Sequence, residues 1–173
     1  FKSQILTLGL VMCGIMIMFL ILFRNLKISL IGVIPNFIAA FTILGLIGVL
    51  GIPLDMMTIT IAAITIGIAV DNSIHYIYRF KEEYEKNKSY EDSIRLCHST
   101  VGVAILNTSI TIIFGFSILV LSNFIPTIYF GVFTGIAMFL AMILVLTLLP
   151  SLILYIQPFE KRLNVWSVFE FFW

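Results

Sequence analysis

The sequence predicts an all-α polytopic membrane protein, a bundle of five transmembrane helices. Of its 173 residues, 61% are hydrophobic and 11% are charged, whereas a soluble domain carries about 25% charged residues. The mean hydropathy is +1.14. Apolar stretches of about 20 residues, the length of a helix that crosses ~30 Å of hydrocarbon, recur along the chain. No stretch alternates polar and apolar residues as a transmembrane strand would.

Charged or turn-forming residues separate the five predicted spans. Arg24 and Lys27 follow the first span, Gly51-Ile52-Pro53 follows the second, and Ser122-Asn123 follows the fourth. The predicted spans are 5–23, 28–50, 56–80, 101–121 and 128–155, within a transmembrane domain over residues 1–157. Residues 158–173 end in an aromatic-rich run, which favours a cytoplasmic or interfacial tail.

The connector between the third and fourth spans, residues 81–100, mixes charges of both signs. Ser89 and Asp92 have the three-residue spacing of a helix capping box. We therefore expect a short amphipathic helix from about Tyr90 at the cytoplasmic interface. For residues 81–88 a solvated charged connector is an equally good interpretation.

The basic residues predict the orientation. Nine of the ten lie on one side of the predicted membrane, and Lys2 lies on the other; the nine are Arg24, Lys27, Arg79, Lys81, Lys86, Lys88, Arg95, Lys161 and Arg162. Because basic loops stay in the cytoplasm, the N-terminus is predicted outside and the C-terminus inside. Something upstream must then cross the membrane first, and the chain begins with Phe1. We expect it to be an excerpt of a longer polypeptide.

The third predicted span contains ionisable residues within its transmembrane segment. Asp71 lies well inside it and His75 follows one turn later. A charge at the bilayer centre costs roughly 2.5–3.5 kcal/mol on insertion scales. In helical projection Thr60, Gly67, Asp71, His75 and Tyr78 share one face, which we expect to face helices or water. We predict that Asp71 titrates with protons; a structural hydrogen-bond acceptor is the alternative.

The fourth span offers a matching surface of small and hydroxyl residues: Thr100, Ala104, Asn107, Thr108, Thr111 and Gly115. Thr108 and Thr111 lie at about the same distance from the cytoplasmic end of their span as Asp71 does in the third span. We therefore expect the two spans to pack together with Asp71 facing Thr108 or Thr111. The predicted proton relay comprises Asp71, His75, Asn72, Thr108 and Thr111. The His75 ring and the two threonines are explained equally well as packing residues. Gly67, Gly115, Gly131 and Gly135 are predicted to allow close helix packing.

The sequence does not support other classes of function. Basic residues interleaved with aromatics, which would suggest nucleic-acid binding, are lacking. Cys13 and Cys97 form no disulfide framework or metal cluster. We find no nucleophile–base pair or phosphate loop, so we predict that the protein is not an enzyme and uses no metal or cofactor other than protons as the coupling ion.

Several motifs together resemble the membrane domain of the RND superfamily, most closely the MMPL-type exporters of hydrophobic and amphiphilic compounds. They are Gly51-Ile52-Pro53-Leu54-Asp55, Gly67-x-x-x-Asp71, Ile74-His75, Arg79-Phe80-Lys81-Glu82-Glu83, Asn107-Thr108-Ser109, Gly115-Phe116, Phe130-Gly131-x-Phe133-Thr134 and Leu146-Thr147-Leu148-Leu149-Pro150. The resemblance covers about residues 32–154.

The resemblance implies more than the residues show. It implies one half of a two-half transporter, with five spans after a large external domain and a proton-carrying acid at Asp71. Many relatives carry a second acid or a Tyr where this chain has Asn72. The five-span unit is also similar to sterol-sensing domains. The implied partners are the rest of the transporter, membrane lipids and an amphiphilic substrate, in the bacterial cytoplasmic (inner) membrane, and oligomers are possible.

The leading hypothesis is therefore the membrane half of a proton-driven exporter of lipids or other amphiphiles. One alternative is a non-transporting, sterol-sensing-like module that senses lipid or binds a partner. Another is a proton-driven protein-secretion subunit of the same superfamily. Loss of a proton gradient on addition of substrate would favour an exporter or secretion subunit over a sensor.

The orientation is testable by single-cysteine labelling of intact cells, in a background where Cys13 and Cys97 are replaced by serine. We expect Asp55→Cys to react with an impermeant maleimide and Lys88→Cys to react only after permeabilisation, because of the nine-to-one distribution of basic residues. Labelling of Lys88→Cys from outside would reverse the predicted topology.

Overall fold

The computed structural model describes residues 2–52 and 56–158, with side chains from residues 9–52 and 60–158. Within these residues every secondary-structure element is a helix. The helices are α1 (Lys2–Phe23), α2 (Leu26–Val49), α3 (Met56–Asn87), α4 (Tyr90–Cys97), α5 (Val103–Ser117) and α6 (Ile125–Ile156). A π-helical turn, His98–Gly102, joins α4 to α5, and a 3₁₀ turn, Ile118–Leu121, extends α5. The predicted all-α bundle is confirmed.

Four described stretches are long and apolar enough to cross a membrane. They are Leu26–Val49, Thr60–Asn87, Tyr90–Leu121 and Ile125–Ile156. The described side chains of α1, from Gly9 to Phe23, form a shorter apolar stretch, within a helix of 22 residues. The predicted tail lies outside the described residues, apart from Pro158.

Charged residues extend α3 beyond the predicted end at residue 80. Glu83 accepts from Arg79 across 2.9 Å, and Glu82 accepts from Lys86 across 2.8 Å. Both pairs have the i,i+4 spacing that supports a helix. The helix ends at Asn87, and the next residue, Lys88, has a left-handed φ of 55°. The Ser89 hydroxyl then caps α4 by accepting from the Asp92 amide. The connector over 81–88 is thus mostly helical, and the predicted cap is confirmed.

Helix α6 lies at the centre of the bundle. It packs against α2, α3 and α5, while α1 packs mainly against α2. The residues it buries include both large and small side chains: Gly131, Phe133, Thr134, Ala137, Met138, Ala141, Met142, Val145, Leu149, Pro150 and Ile153. The small ones among them, Gly131, Thr134, Ala137 and Ala141, let neighbouring helices approach closely.

The expected packing of the third span against the fourth is wrong. The neighbours that α3 packs against extensively are α2 and α6, and α5 packs mainly against α6. The physical reason is the breadth of the small-residue face of α6, which accepts α3 and α5 on different sides. A loop that connects two helices did not make them packing partners here.

The four predicted packing glycines differ in their surroundings. A Cβ on Gly131 would lie 2.7 Å from the Phe116 carbonyl oxygen and 2.8 Å from Cβ of Leu119, so α6 meets the end of α5 at this position. Gly135 lies at the limit of contact with Ile113. A methyl group added at Gly67 or Gly115 would have no atom of the described residues within 4 Å. Close packing within this chain is therefore shown for Gly131 alone among the four.

We expect Gly131→Ala to lower the free energy of unfolding by about 1–3 kcal/mol, the usual cost of overpacking, because the added methyl group meets backbone that cannot rotate away. Gly45→Ala is the matched control, since Gly45 is exposed within a helix and has open space around it. Thermal melting of the purified protein in detergent measures both. A Gly131→Ala protein as stable as the control would refute this close contact.

Candidate functional site

One narrow stripe of α3 is exposed on the outside of this chain. Thr60, Ala63, Gly67, Asp71, His75 and Tyr78 are its exposed members. The side chain of Asp71 is 68% exposed and that of His75 67%, and Oδ1 of Asp71 lies 3.5 Å from Nε2 of His75. The i,i+4 spacing brings the acid and the imidazole together on one face.

The rest of the α3 circumference is buried in the bundle. Thr65, Ser73 and Tyr76 are fully covered, and Asn72 is 8% exposed. Asp71 and Asn72 are adjacent in sequence but point about 100° apart on a helix, so one faces out of the chain and the other faces in. The predicted polar half of α3 is therefore two surfaces with different surroundings.

The threonines predicted to face Asp71 do not reach it. The Thr108 hydroxyl donates to the carbonyl of Ala104 across 2.6 Å, and that of Thr111 donates to Asn107 across 2.9 Å. Both side chains are exposed on α5. The predicted contact with Asp71 is wrong because these hydroxyls satisfy carbonyls of their own helix and α5 packs on α6.

A buried polar contact that our sequence analysis missed joins α2 to α3. Nδ2 of Asn36 donates to the carbonyl of Gly32 across 2.7 Å and to Oγ of Ser73 across 3.2 Å. Ser73 in turn donates to the carbonyl of Ala69. Both side chains are almost completely buried, and an interhelical hydrogen bond in the membrane stabilises a pair of helices. An Asn directly after Pro35 in an otherwise apolar span was the available signal.

A second missed contact lies nearer the predicted cytoplasmic end of α3. Tyr76 is fully buried, and its hydroxyl lies 2.8 Å from Nδ1 of His98. Nε2 of the same ring lies 3.0 Å from the carbonyl oxygen of Leu146. A single imidazole thus connects α3, the π turn and α6.

The same end of the bundle is closed by charged and aromatic residues. Glu83 is buried and pairs with Arg79, and the rings of Phe80, Tyr84 and Tyr90 pack on one another with centroids 4.5–6.0 Å apart. These contacts hold the amphipathic α4 against α3. The helix that carries Asp71 is therefore packed against its neighbours on the C-terminal side of that residue.

The exposed stripe presents an acid and an imidazole that can exchange a proton with each other or with water. A carboxylate and a neutral imidazole both accept protons. Since the stripe brings these two groups together within the apolar part of α3, it is the best candidate for the functional site of the described residues.

Comparison with known proteins identifies related membrane proteins. The chain is 34% identical over 167 residues to the membrane protein MJ1562 of Methanocaldococcus jannaschii, covering 94% of this chain and 43% of that protein. It is 28% identical over 115 residues to the hopanoid transporter HpnN of Burkholderia multivorans, covering 63% of this chain and 12% of that protein. The chain thus spans less than half the length of these curated relatives. No solved structure matches it significantly.

The family comparison settles the class of protein. The model of the MMPL family matches residues 2–173, and the hopanoid transporter is similar over much of the same chain. The chain therefore belongs to the MMPL family, within the RND superfamily of membrane transporters.

Proposed function

We propose that this chain is the membrane half of a proton-driven exporter of lipids or other hydrophobic or amphiphilic compounds. The observation that carries the proposal is the pair of Asp71 and His75, exposed together on a helix whose other faces are buried. A transporter of this family needs a site that takes up and releases a coupling ion, and this pair is the best placed group for protons.

The chemistry of a carboxyl group suits that role. Removing a carboxylate from water favours its protonated form, and returning it to water favours the charged form. A helix face that is covered in one transporter state and hydrated in another would therefore bind a proton and release it in turn. Asp71 accepts the proton, and His75, 3.5 Å away, is positioned to pass it on.

The surface that covers Asp71 is proposed to come from the rest of the transporter. The stripe of α3 and the polar face of α5 are both exposed in this chain, and an ionisable residue in a membrane helix faces protein or water far more often than lipid. Gly67 and Gly115, which have open space around them here, would let a second helix approach these two faces. A second, similar half of the protein is the expected partner, and further oligomerisation is compatible with it.

The substrate class is inferred from two features. One relative is named as a hopanoid transporter. In addition, α1 and α2 enclose an open, apolar groove of about 400 Å³, lined by Met12, Cys13, Met16, Leu30, Val33, Ile34, Phe37 and Ile38. An apolar groove on the membrane-facing side is suited to acyl chains or fused rings, so lipids are the proposed substrates.

The proposed membrane location and orientation rest on the distribution of basic residues. We place the protein in the cytoplasmic membrane, with the N-terminus of this chain outside and its C-terminus inside, as the basic residues predict. The charged end of α3 and the amphipathic α4 then lie on the cytoplasmic side.

We expect Asp71→Asn to stop transport without unfolding the protein. Asn keeps the shape of the side chain but cannot titrate, and we expect the melting temperature to be unchanged or slightly higher, because a charge in the membrane is costly. The measurement is efflux of a radiolabelled hopanoid and of a fluorescent phospholipid from proteoliposomes with an imposed pH gradient. Thermal melting is measured in parallel. The complete natural protein is used throughout.

Two further variants sharpen this test. Tyr78→Phe is the matched control, because Tyr78 is exposed on the same stripe and carries no acid, and it should transport normally. His75→Ala should slow efflux less than Asp71→Asn. Normal efflux by Asp71→Asn would disprove the proton role, and aggregation of that variant would make Asp71 a structural residue. Substrate binding without any movement of protons in the wild-type protein would favour the sensor alternative.

A further inference from the structure

We propose that His98 is a positioning residue that fixes the rotation of α3 against α6 and so sets the direction in which Asp71 points. The proposal rests on the proton role of Asp71 for its functional part, and on the geometry around His98 for its structural part. His98 was not among the residues that the sequence pointed to.

The hydrogen bonds determine the tautomer of the ring. A backbone carbonyl can only accept, so Nε2 of His98 must carry the proton that it shares with Leu146 across 3.0 Å. In the neutral ring Nδ1 is then an acceptor, and the Tyr76 hydroxyl, 2.8 Å away, donates to it. Both ring nitrogens are thus used, one toward α3 and one toward α6.

The Tyr76 hydroxyl has little freedom to find another partner. Tyr76 is fully buried, and a buried hydroxyl without a partner costs about 1–3 kcal/mol. The ionisable groups nearest this site are Cys97, the residue before His98, and the Arg79–Glu83 pair one turn along α3. Residues 143–149 of α6 around Leu146 contain no titratable group, and the hydroxyl of Thr147 donates to the carbonyl of Ile143 on its own helix across 2.6 Å. The link to His98 is therefore the natural partner for Tyr76.

Around Ala69 the contact between α3 and α6 is made by small side chains, whereas larger ones such as Ile61 and Phe133 lie in a separate buried cluster. Ala69 of α3, Ala141 of α6 and Ala39 of α2 form a small buried cluster. Methyl groups pack without directional preference, so this contact resists separation of the helices much more than rotation. Hydrogen bonds have preferred directions, and the Tyr76–His98–Leu146 link supplies the direction that the alanines lack.

The link is close enough to Asp71 to control its direction. Tyr76 follows Asp71 by five residues, which on an α-helix is about 7.5 Å along the axis and about 140° around it. A helix is stiff over this distance, so fixing Tyr76 toward α6 holds Asp71 on the outer stripe. A rotation of α3 that moved Asp71 inward would have to break the hydrogen bond to His98.

The π turn supports this role. His98 begins the turn His98–Gly102, and the Ser99 and Thr100 hydroxyls both donate to the carbonyl of Leu96 at this junction. A π turn inserts an extra residue into a helix and re-aims the side chains beside it, and such turns are frequent at functional sites. Here the re-aimed side chain is the one that reaches both neighbouring helices.

The first test is structural and needs no transport assay. The complete protein, labelled with ¹⁵N-histidine in lipid nanodiscs, is compared with His98→Gln and His75→Gln to assign the His98 resonances. We expect a neutral ring protonated at Nε2, with the Nδ1 resonance moved by Tyr76→Phe. A ring protonated at Nδ1, or a mixture of tautomers that Tyr76→Phe leaves unchanged, would overturn the proposal.

A double-mutant cycle tests whether the two side chains act as one unit. The melting temperatures of His98→Ala, Tyr76→Phe and the double variant are measured together. We expect the double variant to melt at or above the temperature of His98→Ala alone, because Tyr76→Phe then breaks no further bond and removes the buried hydroxyl that His98→Ala leaves unpaired. Fully additive losses would show that the two residues stabilise the protein independently and would refute the link.

The functional part is tested by rescue. The amide of Gln can donate to Leu146 and accept from Tyr76, as the neutral His98 ring does, so His98→Gln should transport at close to the wild-type rate. We expect His98→Ala to lower the maximal rate about five- to tenfold with an unchanged KM for the same lipid probes. Equal rates for the two variants would refute the positioning role.

Asp71→Asn is measured beside these variants so that the two proposals can fail separately. If Asp71→Asn transports normally, or if the wild-type protein transports no lipid probe, the proposed function fails. The ¹⁵N spectrum and the double-mutant cycle still decide whether His98 fixes the rotation of α3. If Asp71→Asn is inactive and His98→Ala is fully active, the proposed function stands and the positioning role fails.

Discussion

The small-residue face of α6 is the constraint on which the arrangement of the other helices depends. Because α6 packs on α2, α3 and α5, it takes the central place that a hydrophobic core has in a soluble domain. In lipid no hydrophobic force drives one apolar helix onto another, so close backbone approach and interhelical hydrogen bonds must stabilise the bundle. Gly131, Ala137 and Ala141 supply the close approach. Occupation of the centre by α6 also explains why α3 and α5 keep their polar faces on the outside.

Polar side chains in this bundle fall into two groups with different energetics. Two of those inside bond to a neighbouring segment: Asn36 bonds Ser73, and Tyr76 bonds His98. A buried donor or acceptor costs little where it keeps a partner after leaving water. It costs more where it has none among the described residues, as for Oδ1 of Asn36 and the hydroxyls of Ser109 and Thr134. Asp71 differs, since its ion-pair partner within the described residues is His75 on the same exposed stripe. A group left exposed in a membrane helix is expensive unless another surface or water meets it, and that expense is why we propose a functional rather than a structural role for the stripe.

The sequence was sufficient to predict the helices but not their neighbours. Span lengths and turns follow from local composition, so α2 and α6 begin and end within three residues of their predicted limits. The charged continuation of α3 was left open because i,i+4 ion pairs and a solvated connector have similar compositions. Packing partners depend on which small-residue face meets which, and that is a property of several helices at once. Thr108 therefore matched Asp71 in depth but not in space, and His98, in a charged connector, gave no sign that it reaches Leu146.

The adjacent residues Asp71 and Asn72 lie in different surroundings, and only Asp71 is ionisable. Asn72 is 8% exposed and faces the bundle, where a charge would have to be removed from water within this chain. A neutral amide is tolerated there, because it can exchange hydrogen bonds with its surroundings without ionising. A second acid at this position, as the resemblance leads one to expect in many relatives, would titrate in different surroundings from Asp71. Asn72 cannot titrate, so under the proposed function proton exchange on α3 would be confined to Asp71 and His75 on the outer stripe. The helix face proposed to cover Asp71 would then be the main influence on its affinity for protons.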